Sequence, residues 1–535
     1  MKRESGILLS VTSLPSKYGI GCFDKNAYAF VDWLAQAGQS YWQILPLGAT
    51  SHGGAYDSPY QACSVFAGNP YFISLDALRE EGVLTAAECK AAQMENTGRV
   101  DYETLHVTRM PLLHKAYQRS KVGENEDFQD FTRENAWWLD DYALYMAVKG
   151  FFGDVSSRDW PEDIRMHYGP AVDYYREKLY FEIEFHKYLQ FKFMEQWTKL
   201  KKYANDRHIR IVGDIPIYAS PDGADVWANP ELFQLDENHL PTRIAGCPPD
   251  SFSADGQVWG NPLYNWEYHK QTGYRWWTSR MWYSYKLYDV VRIDHFRGFD
   301  AYFSIPADTG LASEGQWIDG PGMDLFDVLE ANLGRRDVIA EDLGYITDSV
   351  RRLVKDSGFP NMKVLQFAFE PADVGGTSEY LPHNYNNNCW VYTGTHDNET
   401  LFGWFMGMPK AQKKFIRSYM VDQTTPDEQM HRRIIDIAMM SAARTCIIPL
   451  QDFLGLDNKN RMNLPGTVGE NWRWRLLPGK TTKSLAKELL AVTMRYARAN
   501  WPALDALKEK NAKNDSHNKT IAPAPMVRGR CRKPL

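Results

Sequence analysis

Cysteine is scarce and unpatterned in this chain. Seven occur in 535 residues, at Cys22, Cys63, Cys89, Cys247, Cys389, Cys446 and Cys531, with no CxxC pair. An odd count so scattered is a poor disulfide framework, and the expectation is free thiols in a reducing compartment, the cytoplasm. Long apolar runs are missing too. No stretch approaches the ~18 apolar residues of a membrane span. The brief GILLSV run at 6–11 has no small-residue cleavage pattern after it, so it reads as a first strand and not a signal peptide. Nor is there an excess of positive charge. Lys+Arg is 61 against Asp+Glu 67, a net charge of −6, which argues against a general nucleic-acid or anionic-membrane binder. There is no GxGxxG after the first strand, no HExxH and no EF-hand loop. No cofactor and no metal is therefore expected.

What is present is a large soluble core: 44% of residues are hydrophobic and 24% charged. Aromatics reach 14%, with 30 Tyr, 25 Phe and 18 Trp. Buried cores absorb many of them. The surplus also suits a ligand with flat apolar faces, and a pyranose sugar is one.

Eight short apolar runs, each bounded by Gly, Pro or Asp, read as buried parallel strands: residues 6–11, 41–47, 209–218, 290–296, 337–343, 362–367, 389–394 and 445–450. Helical patterning at 26–37, 411–419 and 430–445 falls between them. Eight strands alternating with helices is the count of a (β/α)8 barrel, an α/β fold. A doubly wound open sheet is the alternative, and the missing GxGxxG and the count favour closure. The expected organisation is one catalytic barrel over residues 1–505 with two insertions. The first, about 68–206, is helical. The second, about 220–288, is rich in Pro, Gly, Asn and Trp and is expected to be a loop-rich lid. Residues 506–535 are polar, basic and Pro-containing, and disorder is the expectation there.

Chemistry concentrates at strand ends. Strand alternation places Arg292 and Asp294 on one side and Val291 and Ile293 on the other. This pair is either a structural ion pair or a carboxylate kept ionised by a guanidinium for use as a nucleophile. Glu341 and Asp342 close the fifth run, Asp397 follows His396 after the seventh, and Asp214 closes the third. Glycoside chemistry needs one carboxylate as nucleophile and one carboxylic acid as proton donor, and the mouth of one barrel can supply both. Different surroundings must hold the two acids in opposite protonation states, and Arg292 beside Asp294 provides one such difference.

The motifs RIDHFRG (292–298), AEDLG (340–344) and TGTHDNET (393–400), in this order, resemble the 4-α-glucanotransferases of glycoside hydrolase family 77, in the α-amylase clan. So do GILLSVTSLPSKYGIG (6–21), SPYQACSVFAGNP (58–70), GDIPIY (213–218) and PPDSFSADGQVWGNPLYNW (248–266). QDFLGL (451–456), RMNLPG (461–466) and NWRW (471–474) extend the resemblance, which covers about residues 6–501. It implies a (β/α)8 barrel without a separate C-terminal β-domain. It implies transfer of α-1,4-glucan segments between maltodextrins, with retention, through a covalent glucosyl-enzyme. The substrates implied are maltooligosaccharides, amylose, starch or glycogen, with glucose as acceptor. By the same resemblance Asp294 is the nucleophile, Glu341 the general acid/base and Asp397 the acid that stabilises the transition state, assisted by His396 and Arg292. Asp214 would bind substrate or support the site. Tyr60 and Trp259 would line sugar subsites, with Gln257, Phe367 and Asn463 as further contacts. Phe252, in the loop after the third strand, is expected to belong to a lid that holds the acceptor and excludes water. An α-glucan hydrolase would use the same acids, and a non-catalytic sugar-binding barrel would need neither Asp294 nor Glu341.

Overall fold

The computed structural model describes residues 2–50, 57–249, 255–369 and 376–520. Twelve strands occur among them: β1 (Glu4–Leu8), β2 (Tyr41–Gln43), β3 (Arg210–Ile215), β4 (Arg243–Cys247), β5 (Gln257–Pro262), β6 (Val290–Ile293), β7 (Ala301–Pro306), β8 (Gln316–Asp319), β9 (Val338–Ala340), β10 (Asn361–Val364), β11 (Cys389–Tyr392) and β12 (Thr445–Pro449). Eight of them close a parallel barrel in the order β1-β2-β3-β6-β9-β10-β11-β12. Each of the eight apolar runs contributes one of these strands, and pairing of the first with the last excludes the open sheet. The barrel strands are almost wholly buried and mostly apolar, as expected where side chains fill one face and helices cover the other.

The first and last strands meet in register, Glu4 against Thr445 through Leu8 against Pro449. A buried guanidinium seals the lower end of this seam. Arg498 donates to the carbonyls of Met439, Glu4, Arg444, Ser441 and Ala443 at 2.7–3.2 Å. Its fixed fork of donors satisfies carbonyls that end a helix and begin two strands.

Between β2 and β3 the chain is helical, with Glu126–Phe151 and Tyr180–Asn205 the longest elements. Asn125 caps the first of these by accepting from the Phe128 N–H at 3.1 Å. The stretch from 220 to 288 is more regular than its composition predicts. It holds β4, β5 and the helices Ala224–Ala228, Trp266–Gln271 and Arg275–Leu287. β4 and β5 join β7 and β8 in an antiparallel sheet of order β5-β4-β7-β8 beside the barrel mouth. At the other end, the helix Trp501–Thr520 carries regular backbone past residue 506, where the composition alone predicts a structureless tail. Among the described residues no helix is long and apolar enough to cross a membrane.

Candidate active site

The site is built from loops that leave the C-terminal ends of β3, β6, β9 and β11. Asp214 lies opposite Arg292 across the β3–β6 ladder. Arg292 Nη1 donates to both Asp214 oxygens, at 2.7 and 2.8 Å, and to Asp294 Oδ1 at 2.9 Å. One guanidinium therefore serves two carboxylates. Asp214 is fully enclosed, with 0% side-chain exposure, whereas Asp294 keeps 29% and faces the mouth. Asp214 also accepts from the Tyr60 hydroxyl at 2.8 Å. Asp214 therefore lies deeper than Asp294, fully enclosed where Asp294 stays partly exposed.

Ladder hydrogen bonding continues past the strand ends. The Asp294 N–H donates to the Ile215 carbonyl at 3.0 Å and the Glu341 N–H to the Ile293 carbonyl at 3.1 Å. His295 then takes a left-handed conformation, φ 54°. Few non-glycine residues do so, with His among the more tolerant. The turn aims the His295 N–H at Glu341 Oε2, 2.7 Å away, and the Leu343 N–H reaches Oε1 at 2.8 Å. Among the described residues, the hydrogen bonds that hold Glu341 come from these two backbone N–H groups.

The two acids differ accordingly. Burial pushes the Glu341 carboxyl up to about 8, the charge of Asp294 adds to the rise, and Arg292 and the two N–H donors only partly offset it. Burial also raises Asp294, to about 6, with Arg292 pulling back. Both carboxyls are raised, Glu341 the further of the two, which is the direction that separates a proton donor from a nucleophile. Burial and Asp214 push the Tyr60 hydroxyl well above its usual range, so it stays a donor.

Asp397 closes the other side. Its carboxylate accepts from Asn463 Nδ2 at 2.6 Å and lies 3.3 Å from His396 Nε2. The Arg461 guanidinium binds the Asp397 carbonyl, and the Asn463 N–H binds the His396 carbonyl at 3.1 Å. Buried Asp452 secures both ends of this loop, accepting from Thr393 Oγ1 at 2.6 Å and the Leu401 N–H at 2.8 Å. Tyr60 stacks on His396, with centroids 5.1 Å apart and planes 18° apart. On the opposite flank Trp259 meets His295 edge-on at 4.8 Å and donates to Gln257 at 3.2 Å. The structure therefore brings together Tyr60, Asp214, Arg292, Asp294, Glu341, His396, Asp397 and Asn463, with Trp259 and Gln257 beside them. Phe367 follows β10, and among the described residues the ring it meets is Tyr380, at 5.6 Å. Phe252 lies outside the described residues.

Three contributors escape sequence reasoning. Trp472, at φ 64°, packs on Tyr60 at 5.5 Å and His396 at 5.8 Å. It lines an open hollow of about 560 Å³ with Asp57, Ser58, Asn463 and Asn471. Its motif is visible in the sequence, but a Trp flanked by Asn471 and Arg473 carries no local mark of what it packs against. Arg461 acts through a backbone carbonyl, and His295 through its own N–H, so neither side chain advertises the role.

A family model described as 4-alpha-glucanotransferase, of glycoside hydrolase family 77, matches residues 9–481. The chain belongs to that family. Among curated 4-alpha-glucanotransferases, that of Streptococcus pneumoniae is 45% identical over 511 residues, 95% of this chain and 100% of the relative. The Thermus thermophilus protein is 43% identical over 501 residues, 92% and 98% of the two chains. The chloroplastic/amyloplastic enzyme of Solanum tuberosum is 40% identical over 510 residues, 93% and 87%. A solved amylomaltase from Streptococcus agalactiae, in complex with acarbose, superposes with TM-score 0.89 at 41% identity, covering 93% of this chain and all of the other. Family membership and the barrel fold stand together, and the four strand-end acids sit at the barrel mouth, where enzymes of this architecture work.

Proposed function

We propose that this chain is a retaining 4-α-glucanotransferase that moves α-1,4-glucan segments between maltodextrins, with glucose among its acceptors. The observation that carries the mechanism is the asymmetry of the acids: Asp294 rests against Arg292, while Glu341 is buried among backbone donors. Ionised Asp294 attacks the anomeric carbon as protonated Glu341 gives its proton to the glycosidic oxygen of the departing chain. The C–O bond to the leaving chain breaks as the bond to Asp294 forms, giving a β-glucosyl-enzyme. Glu341, now a carboxylate, takes the proton from an acceptor 4-hydroxyl. That oxygen displaces Asp294 and the α-1,4 bond is remade. Asp397 and His396 bind ring hydroxyls, and Tyr60 supports the sugar's apolar face. Free thiols at Cys22, Cys89, Cys389 and Cys446 support a cytoplasmic location.

Maltotriose incubated with the protein, with products resolved by length, tests this. Longer maltodextrins together with glucose are expected. Shortening alone means hydrolysis, and an unchanged mixture means binding at most.

A further inference from the structure

The turn after Asp294 holds a second aromatic surface that the reaction above does not use. Arg297 is buried, and its guanidinium lies 3.7 Å from the ring centroid of Trp317 on β8 and 5.8 Å from that of Tyr345. Its Nη1 also donates to the Tyr345 carbonyl at 2.6 Å. Phe303 of β7 meets Trp317 at 5.1 Å. One buried cation thus packs on the Trp317 ring of the antiparallel sheet and anchors the backbone of Tyr345 on the loop of Glu341. Even so, Trp317 remains 36% exposed and Tyr345 69% exposed. Exposed aromatics whose ring (Trp317) or backbone (Tyr345) is anchored in this way suit contact with a ligand, because less freedom is left to lose on binding.

The chemistry assigns the ligand's direction. Glu341 protonates the oxygen that links the captured sugar to the departing chain, so the departing chain and its replacement acceptor lie on the Glu341 side. Tyr60, His396, Asp397 and Trp472 mark the donor side. Tyr345 stands four residues beyond Glu341 on the same loop. An acceptor presents its non-reducing 4-hydroxyl at Glu341, and the rest of its chain runs away towards its reducing end.

We propose that Trp317 and Tyr345 form an acceptor-side platform for the reducing-end units of long α-1,4-glucans, with Arg297 as the positioning residue beneath it. This rests on the glucanotransferase reading and adds acceptor-length selection to it. The apolar C–H faces of successive pyranose rings stack on the two aromatics. Glucose, which is too short to reach them, gains nothing from the platform.

The test uses the full chain, maltotriose as donor, and acceptors of one to six glucose units carrying a fluorescent label at the reducing end. In the unaltered protein, kcat/KM is expected to rise with acceptor length. In Trp317→Ala and Tyr345→Ala the ratio of maltohexaose to glucose kcat/KM should fall about tenfold, mainly through KM. Trp317→Phe and Tyr345→Phe should restore most of it, and thermal melting establishes that each variant folds. An unchanged ratio in the folded double alanine variant overturns the platform. So does an equal loss with glucose and maltohexaose, which would make these residues supports for the Glu341 loop. If the unaltered protein elongates no labelled acceptor while shortening maltotriose, the transferase reading itself fails.

Discussion

The pH dependence of the first chemical step tests the division of labour between the two acids. Asp294 must be ionised to attack, and its carboxyl is raised to about 6, so activity rises with pH through that value. Glu341 must be protonated to assist departure, and its carboxyl is raised to about 8, so activity falls as pH rises through that value. Between these two limbs Asp294 is ionised while Glu341 is still protonated, and the competent share falls on either side. The assay is the initial rate of glucose release from dilute maltotriose between about pH 4.5 and 9.5 at constant ionic strength, roughly 1.5 units beyond each limb. A bell with limbs near these values is expected. The limbs are then assigned with Glu341→Gln and α-maltosyl fluoride, whose leaving group needs no proton. The single-turnover burst of fluoride should lose the alkaline limb and keep the acidic one. An alkaline limb that persists in this variant, or an acidic limb that vanishes, refutes the assignment.

With maltotriose, Asp294→Asn and Glu341→Gln should each lose several orders of magnitude in kcat while glucan binding, followed by calorimetry, stays near its original strength. A variant that kept more than about a tenth of the rate would have lost under ~1.4 kcal/mol, too little for the role given. Prolonged dialysis against a chelator should leave the rate unchanged, because Asp214 and Asp294 are engaged by Arg292, Glu341 by two N–H groups and Asp397 by Asn463. Activity lost and then restored by calcium would count against this. Phe252→Ser, in the Pro-stiffened segment after β4, should lower transfer and raise the ratio of hydrolysis to transfer, since water at ~55 M competes for the glucosyl-enzyme. Reducing ends and product lengths measured together report that ratio, and an unchanged value in a folded variant would remove Phe252 from the lid.

The barrel is legible in the sequence because each of its strands falls in a short, mostly apolar run, and the acids are legible because they break those runs at one end. VVRIDHFRG (290–298) shows both at once: Val290 and Val291 lie in the wall, then Arg292 and Asp294 share a face. The antiparallel sheet leaves no such trace. β5 reads QVWGNP, with Gly, Asn and Pro where strands rarely take them, and its neighbour β4 must cross past β6 in the sequence to find β7. Asp214 is visible as an acid at a strand end, but its burial depends on Tyr60 arriving from a loop 154 residues away. Trp472 and Arg461 are legible as residues and not as parts of a site, because what they do is set by backbone conformation and long-range contact.

The seam under Arg498 has a consequence for how the chain is made. β1 leaves the ribosome first, yet one of its two neighbours in the barrel is the last strand, and the clamp joining Arg498 to the Glu4 carbonyl spans 494 residues. At synthesis rates of about 5–20 residues per second, that interval is roughly 25–100 s. Throughout it the nascent chain carries an apolar strand with an open edge, the kind of surface that invites pairing with another chain. A molecular chaperone that shields this edge, or slow release into dilute surroundings, should therefore govern the yield of folded protein more strongly than the stability of the finished barrel does.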